Sequence, residues 1–187
     1  MNSTHPALTR LAAWVAGYFN GAIKAAPTLA VFIDGDGVSP KDARKVLEHL
    51  PIEGRICVLR TYGNFTGKSA EGWAKLIRSL GVTARHMPSL VPGKNATDIA
   101  LAIDAIEVLL TRSADTFVIV ASDADFTPLA CRLRESGKRV LVYGSRSTPE
   151  SLRGACADFH DIGQLGSHPH PQVPSAPFWS SSRATLL

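Results

Sequence analysis

The chain has 187 residues, 45% of them hydrophobic and 19% charged; that suffices for one packed domain and excludes global disorder. No run reaches the roughly 18 to 20 apolar residues that a membrane-spanning helix needs. The net charge of +4, from 20 basic and 16 acidic residues, is too mild for an extended basic arm.

Residues 6–26 read as an amphipathic helix. Leu8, Leu11, Val15, Phe19 and Ala22 recur at steps of three and four, and Pro27 stops the pattern. A secretory signal is the competing reading of Arg10 and the apolar run 11–19, but Gly17, Tyr18 and Lys24 argue against it. The helix is expected to pack on the domain, on a second copy or on a protein partner.

From Leu29 the texture changes to alternating strands and helices. Residues 29–33 form a continuous apolar run, as in a strand buried on both faces. A helix follows over 40–50, with Pro40 in its first turn. A strand is predicted at 56–60. The next helix covers 69–80, with Ser69 as cap and Gly81 as stop. A third strand spans 82–87 and a long helix 95–110. The fourth strand lies at 117–121, a helix at 127–136 ends before Gly137, and the fifth strand lies at 139–143. Thr148 is expected to cap a short last helix before a sixth strand at 159–162. From residue 164 Ser, Pro, His and Gly dominate, and 164–187 read as a flexible, solvated tail that includes His168 and His170. The alternation predicts an α/β fold: a doubly wound, mostly parallel sheet with helices on both faces.

The three cysteines, Cys57, Cys131 and Cys156, are odd in number and widely spaced, which excludes a disulfide framework. Each lies in an apolar pattern, so buried reduced thiols in a cytoplasmic protein are expected. No Cys or His pair has zinc-site spacing.

Five acids fall in three motifs at the ligand-binding edge of such a sheet. Asp34 and Asp36 end the first strand, Asp123 and Asp125 follow the fourth, and Asp98 opens the long helix. Without them the chain carries 20 basic and 11 acidic residues, a basic body around an acidic focus, which suits a polyanion. Helical spacing aligns Asp98 with Ala102, Ala105 and Leu109, beside an apolar stripe of Ile99, Ile103, Ile106 and Leu110 expected to face the sheet. Asp104 falls roughly 120° away, so with Glu107 it should face solvent. Capping could account for Asp36, Asp98 and Asp125, but does not readily explain Asp34 and Asp123. Carboxylates brought together repel unless some protonate or a cation neutralises them. A set of hard oxygen donors favours Mg²⁺ or Mn²⁺ over zinc, an arrangement suited to phosphodiester hydrolysis.

The motifs Phe32-Ile33-Asp34-Gly35-Asp36, Arg60-Thr61-Tyr62-Gly63-Asn64-Phe65, Gly93-Lys94-Asn95-Ala96-Thr97-Asp98, Ser122-Asp123-Ala124-Asp125-Phe126-Thr127-Pro128-Leu129 and Thr148-Pro149-Glu150-Ser151, in that order, resemble the NYN domain and more closely its LabA-like branch. The resemblance spans about residues 28–163 and reaches into the PIN-like nucleases. It implies a Mg²⁺- or Mn²⁺-dependent ribonuclease, with Asp34, Asp98, Asp123 and Asp125 as catalytic metal-binding residues. Asp36, Asn95 and Ser122 are then supports around them. Arg60, Lys94 and Arg146 become candidates to hold RNA phosphate, and Tyr62 to stack on a base of single-stranded RNA, while core packing is favoured for Phe65. Gly37 departs from the family, which usually has Asn there; that keeps open a catalytically weak module binding RNA or protein. A haloacid-dehalogenase-like phosphatase with Asp34 as nucleophile is a further rival, but it gives no reason for Asp98.

Overall fold

A computed structural model describes residues 26–67, 70–87, 95–111 and 114–166. The expected helix over 6–26 lies outside them but for Ala26, as do Ser69, Lys94 and the tail from 167 onward. Six parallel strands form one sheet: β1 (Thr28–Asp34), β2 (Arg55–Gly63), β3 (Thr83–His86), β4 (Thr116–Val120), β5 (Arg139–Gly144) and β6 (Asp158–Asp161). Their order is β3-β2-β1-β4-β5-β6. The central strands β1 and β4 are buried throughout except for Thr28, as their unbroken apolar runs require.

Among the described residues five helices cover the two faces: α1 (Pro40–His49), α2 (Ala70–Leu80), α3 (Ala96–Thr111), α4 (Thr127–Glu135) and α5 (Glu150–Ala155). On one face Val31 and Ile33 pack with Val46 of α1 and with Trp73 and Leu76 of α2. On the other, Phe32 and Phe117 pack with Leu101 and Ala105 of α3 and Leu133 of α4. Among the described residues no helix is long and apolar enough to cross a membrane.

Local chemistry sets the helix starts. Ser39 caps α1 by accepting the Asp42 N–H at 3.1 Å, with Pro40 in the first turn. The expected Thr148 cap of α5 is not made: Pro149 takes the cap position, and the Thr148 hydroxyl is buried without a hydrogen-bond partner. Gln164, in the expected tail, completes a 3-10 turn (Ile162–Gln164), and Leu165 packs on the α1 face.

Two further expectations are corrected. The stripe of Ile99, Ile103 and Leu110 points outward, and α3 instead buries Leu101, Ala105 and Val108. The three cysteines are free, but Cys57 is exposed and the other two only half-buried.

Candidate active site

The order β3-β2-β1-β4-β5-β6 reverses between β1 and β4, and in such sheets the crevice past the C-terminal ends of those two strands is where ligands sit. Asp34 is the last residue of β1 and is only 6% exposed. Its Oδ1 accepts the N–H groups of Asp36 at 3.1 Å and Gly37 at 3.0 Å. A Cβ at position 37 would overlap the Asp34 carboxylate, so the glycine permits this inward fold. Asp123, three residues past β4, caps the 3-10 turn Ala124–Phe126 by accepting the Asp125 N–H at 2.9 Å. Asp125 caps nothing in α4; its Oδ2 accepts from Asn95 Nδ2 at 2.8 Å. Asp98 lies in the first turn of α3 as expected, but the Asp125 cap is not made, and Asp34 and Asp123, thought unexplained by local bonding, bind neighbouring amides.

The supports form a frame around the crevice. Asp36 Oδ1 accepts the Asn64 N–H and its Oδ2 the Thr97 hydroxyl, each at 2.8 Å, tying β1 to the end of β2 and the start of α3. Ser122 Oγ accepts the Ser145 N–H at 2.9 Å, tying β4 to β5. Thr97 and Asn64 were missed as framing residues, although both lie inside the quoted motifs.

The electrostatics place Asp98 among the other acids. Burial pushes its carboxyl up to about 6, and the negative charges of Asp34, Asp123, Asp125 and Asp36 push in the same direction. Asp34 is also raised, first by burial and then by the charges of Asp36 and Asp123, against the pull of its two backbone N–H donors. Among the described residues no three His, Cys, Asp or Glu side chains already stand in an arrangement that holds a metal ion. The four aspartates share an edge and a field, while Asp34 and Asp123 each keep one oxygen turned onto the backbone. The donor chemistry, hard carboxylate oxygens only, fits a hard divalent cation once those side chains rotate.

Arg146 lines a cleft of about 470 Å³ that adjoins this edge through Gly37 and Ser122 and is also walled by Ser39, Ser145 and Asp161. Arg60 and Tyr62 are not where they were expected. Both lie within β2, which runs on to Gly63 rather than ending at residue 60. Tyr62 is fully buried, its ring stacked on Phe32 and its hydroxyl on Asp104, so it has no face to offer a base. Arg60 is mostly buried in an ion pair with Asp104 at 2.9 Å. Asp104 is therefore half-buried in a polar network and does not face solvent as expected. Phe65 packs against Trp73, with ring centroids 5.4 Å apart.

The family model for the NYN domain matches residues 28–163. The chain belongs to the NYN domain family. That family lies among the PIN-like nucleases, which typically use divalent metals, so a nuclease-type, hydrolytic function is supported for this NYN domain. The uncharacterized protein MJ0482 of Methanocaldococcus jannaschii is 31% identical over 121 residues, 63% of this chain and 47% of the relative. The chain thus spans about half the length of that curated relative. The crystal structure of VPA0982, a protein of unknown function from Vibrio parahaemolyticus, shares the fold with a TM-score of 0.63. It is 20% identical, and the match covers 74% of this chain and 94% of that one.

Proposed function

We propose that this NYN domain is a Mg²⁺- or Mn²⁺-dependent ribonuclease that hydrolyses phosphodiester bonds of RNA, single-stranded RNA above all. The observation that carries the reading is Asp98: a half-buried carboxyl raised first by burial and then by the charges of four other acids that follow or end β1 and β4. Such a focus is costly for folding and becomes favourable with a cation in it. Asp34, Asp98 and Asp123 would hold the ion directly or through water, and Asp125 would hold it or orient the attacking water. When bound, it supplies positive charge to the attacked phosphate and lowers the pKa of the attacking water.

The chain's own groups do the rest. Asn95 holds Asp125 by one oxygen and leaves the other to orient the water and take its proton. Asp36, through Asn64 and Thr97, fixes the start of α3 and hence Asp98. Arg146 offers a charged bond to a phosphate along the cleft. The water oxygen forms a bond to phosphorus, the bond to the leaving sugar oxygen breaks, and a proton ends on that oxygen. The free thiols fit a cytoplasmic setting.

One observation favours a second reading, a catalytically weak RNA-binding module. Asp34 is tied to its own loop beside Gly37, where the family usually has a polar side chain. A single assay separates the two. Single-stranded RNA is incubated with the protein and Mn²⁺, with and without chelator. Cleavage that chelator abolishes is the expected result; binding without any cleavage supports the weak module and overturns the nuclease.

A further inference from the structure

The outward side of α3 is apolar where a surface helix should be polar. Ile99 is 59% exposed, Ile103 62% and Leu110 74%. They lie on one side of the helix at steps of four and seven, a stripe about 17 Å long at 1.5 Å per residue. Large aliphatic side chains aligned in this way mark a contact surface.

We propose that residues 6–26 of this chain dock as a helix along this stripe, in the same molecule. Three observations choose that occupant. The first is where the chain enters the fold. Thr28, at the start of β1, donates its N–H to Asp115 Oδ2 at 2.8 Å, and Asp115 returns its N–H to Thr28 O at 3.0 Å. Asp115 lies four residues past the end of α3, so the preceding segment reaches the fold at the end of α3 that carries Leu110. A helix ending at Pro27 would run beside α3 in the same direction. Its 21 residues would span about 31 Å against about 24 Å for α3. Its apolar series Leu8, Leu11, Val15 and Phe19 supplies a facing stripe.

The second is charge. Asp98 turns to the acidic site and Asp104 to Arg60, so Glu107 is the exposed charge that α3 itself carries, with no Lys or Arg in residues 96–111, while residues 6–26 contain Arg10 and Lys24 and no acid. The segment complements that charge, whereas a second copy of α3 would bring only another Glu107. The third is size. Three exposed side chains fall far short of the roughly 800 Å² per partner that a stable dimer buries. A tethered segment needs less, because it gives up no independent translational freedom on docking.

Hydrogen–deuterium exchange of the full chain tests this without reference to the nuclease reading. Amides of 8–22 are expected to be protected in the wild type. They should exchange roughly tenfold faster or more in Ile103→Asp and in Leu110→Asp, with β1 and β4 unchanged as the control for folding. Unprotected wild-type amides over 8–22, or protection untouched by both variants, would overturn the proposal. So would a concentration-dependent dimer in sedimentation that Ile103→Asp dissociates, since the occupant would then be a second copy.

Discussion

Tyr62 on β2 donates its hydroxyl to Asp104 on α3 across 2.7 Å, and the same carboxylate oxygen lies 2.9 Å from Arg60 Nη1 and 3.4 Å from Arg85 Nε. One acid thus serves three partners and fastens α3 to the edge side of the sheet. Burial and the hydrogen bond to Asp104 push the Tyr62 phenol above its ordinary range, so it stays a donor. Arg60 Nη1 is buried and lacks a well-aligned hydrogen bond, so it depends on the ion pair. Asp104→Ala is expected to lower unfolding free energy by roughly 2 to 3 kcal/mol, because a mostly buried guanidinium and a buried phenol lose their common acceptor. Asp104→Asn keeps an acceptor for Tyr62 and should lose less. Urea denaturation measures both; two variants as stable as wild type would show that the network does not fasten α3.

Asp123→Asn changes the proposed metal site while sparing the turn. The amide oxygen can still accept the Asp125 N–H that Asp123 Oδ1 now accepts. Cleavage of single-stranded RNA in Mn²⁺ is expected to fall about 100-fold or more, with RNA affinity by fluorescence anisotropy changed less than about threefold. A variant that cuts at the wild-type rate would remove Asp123 from the site.

The parallel sheet and the placing of Asp34, Asp98 and Asp123 at one edge were legible because buried parallel strands are apolar runs that end abruptly in polar residues. The face of α3 was not. Ile99, Leu101, Ile103, Ile106, Val108 and Leu110 leave the helix apolar almost all round, so its period does not select a side. Small Ala105 decided it, since it lets the helix lie close to the sheet with Leu101 and Val108 beside it. Asp98 is three residues before Leu101 and seven before Ala105, so its inward position survived the error. Arg60 and Tyr62 were misplaced for another reason. Reading β2 as ending at residue 60 put them in a loop, whereas the strand's period of two sends both toward Asp104. The Asp34 and Asp123 amide bonds rest on loop geometry that no spacing announces.

Gly37 and Gly154 should respond oppositely to alanine. A methyl group at position 37 meets the Asp34 carboxylate and must push it off the Asp36 and Gly37 amides. Two charge-assisted hydrogen bonds are then broken, and a loss of about 1 to 3 kcal/mol is expected for Gly37→Ala. At Gly154, inside α5, an added methyl meets nothing within 4 Å. Gly154→Ala is expected to gain up to about 1 kcal/mol through helix propensity and a less flexible unfolded chain. Thermal unfolding in chelator reads both, and a Gly37→Ala midpoint equal to wild type would mean that the carboxylate relaxes freely.

Asp98 makes the pH dependence specific. Its carboxyl is pushed from the ordinary 3.8 up to about 6, first by burial and then by the charges of Asp34, Asp123, Asp125 and Asp36. The folded chain therefore holds this proton more tightly than the unfolded chain does. In chelator, the Asp98 contribution to stability should fall as pH rises from about 4 to about 6 and stay flat above that, the folded state binding more protons within the window. Asp98→Asn removes the penalty. It is expected to gain about 1 kcal/mol at pH 7.5 without metal, the full shift being discounted for the solvent that still reaches the carboxyl. Mn²⁺ should reverse the order. An ion bound only by the folded wild type adds roughly 2.7 kcal/mol at a hundred times its dissociation constant. The variant, lacking one charge, should gain less and become the weaker protein. Chemical denaturation at pH 7.5 with chelator and with Mn²⁺ compares the four cases. If wild type and variant gain equally from Mn²⁺, Asp98 holds no ion.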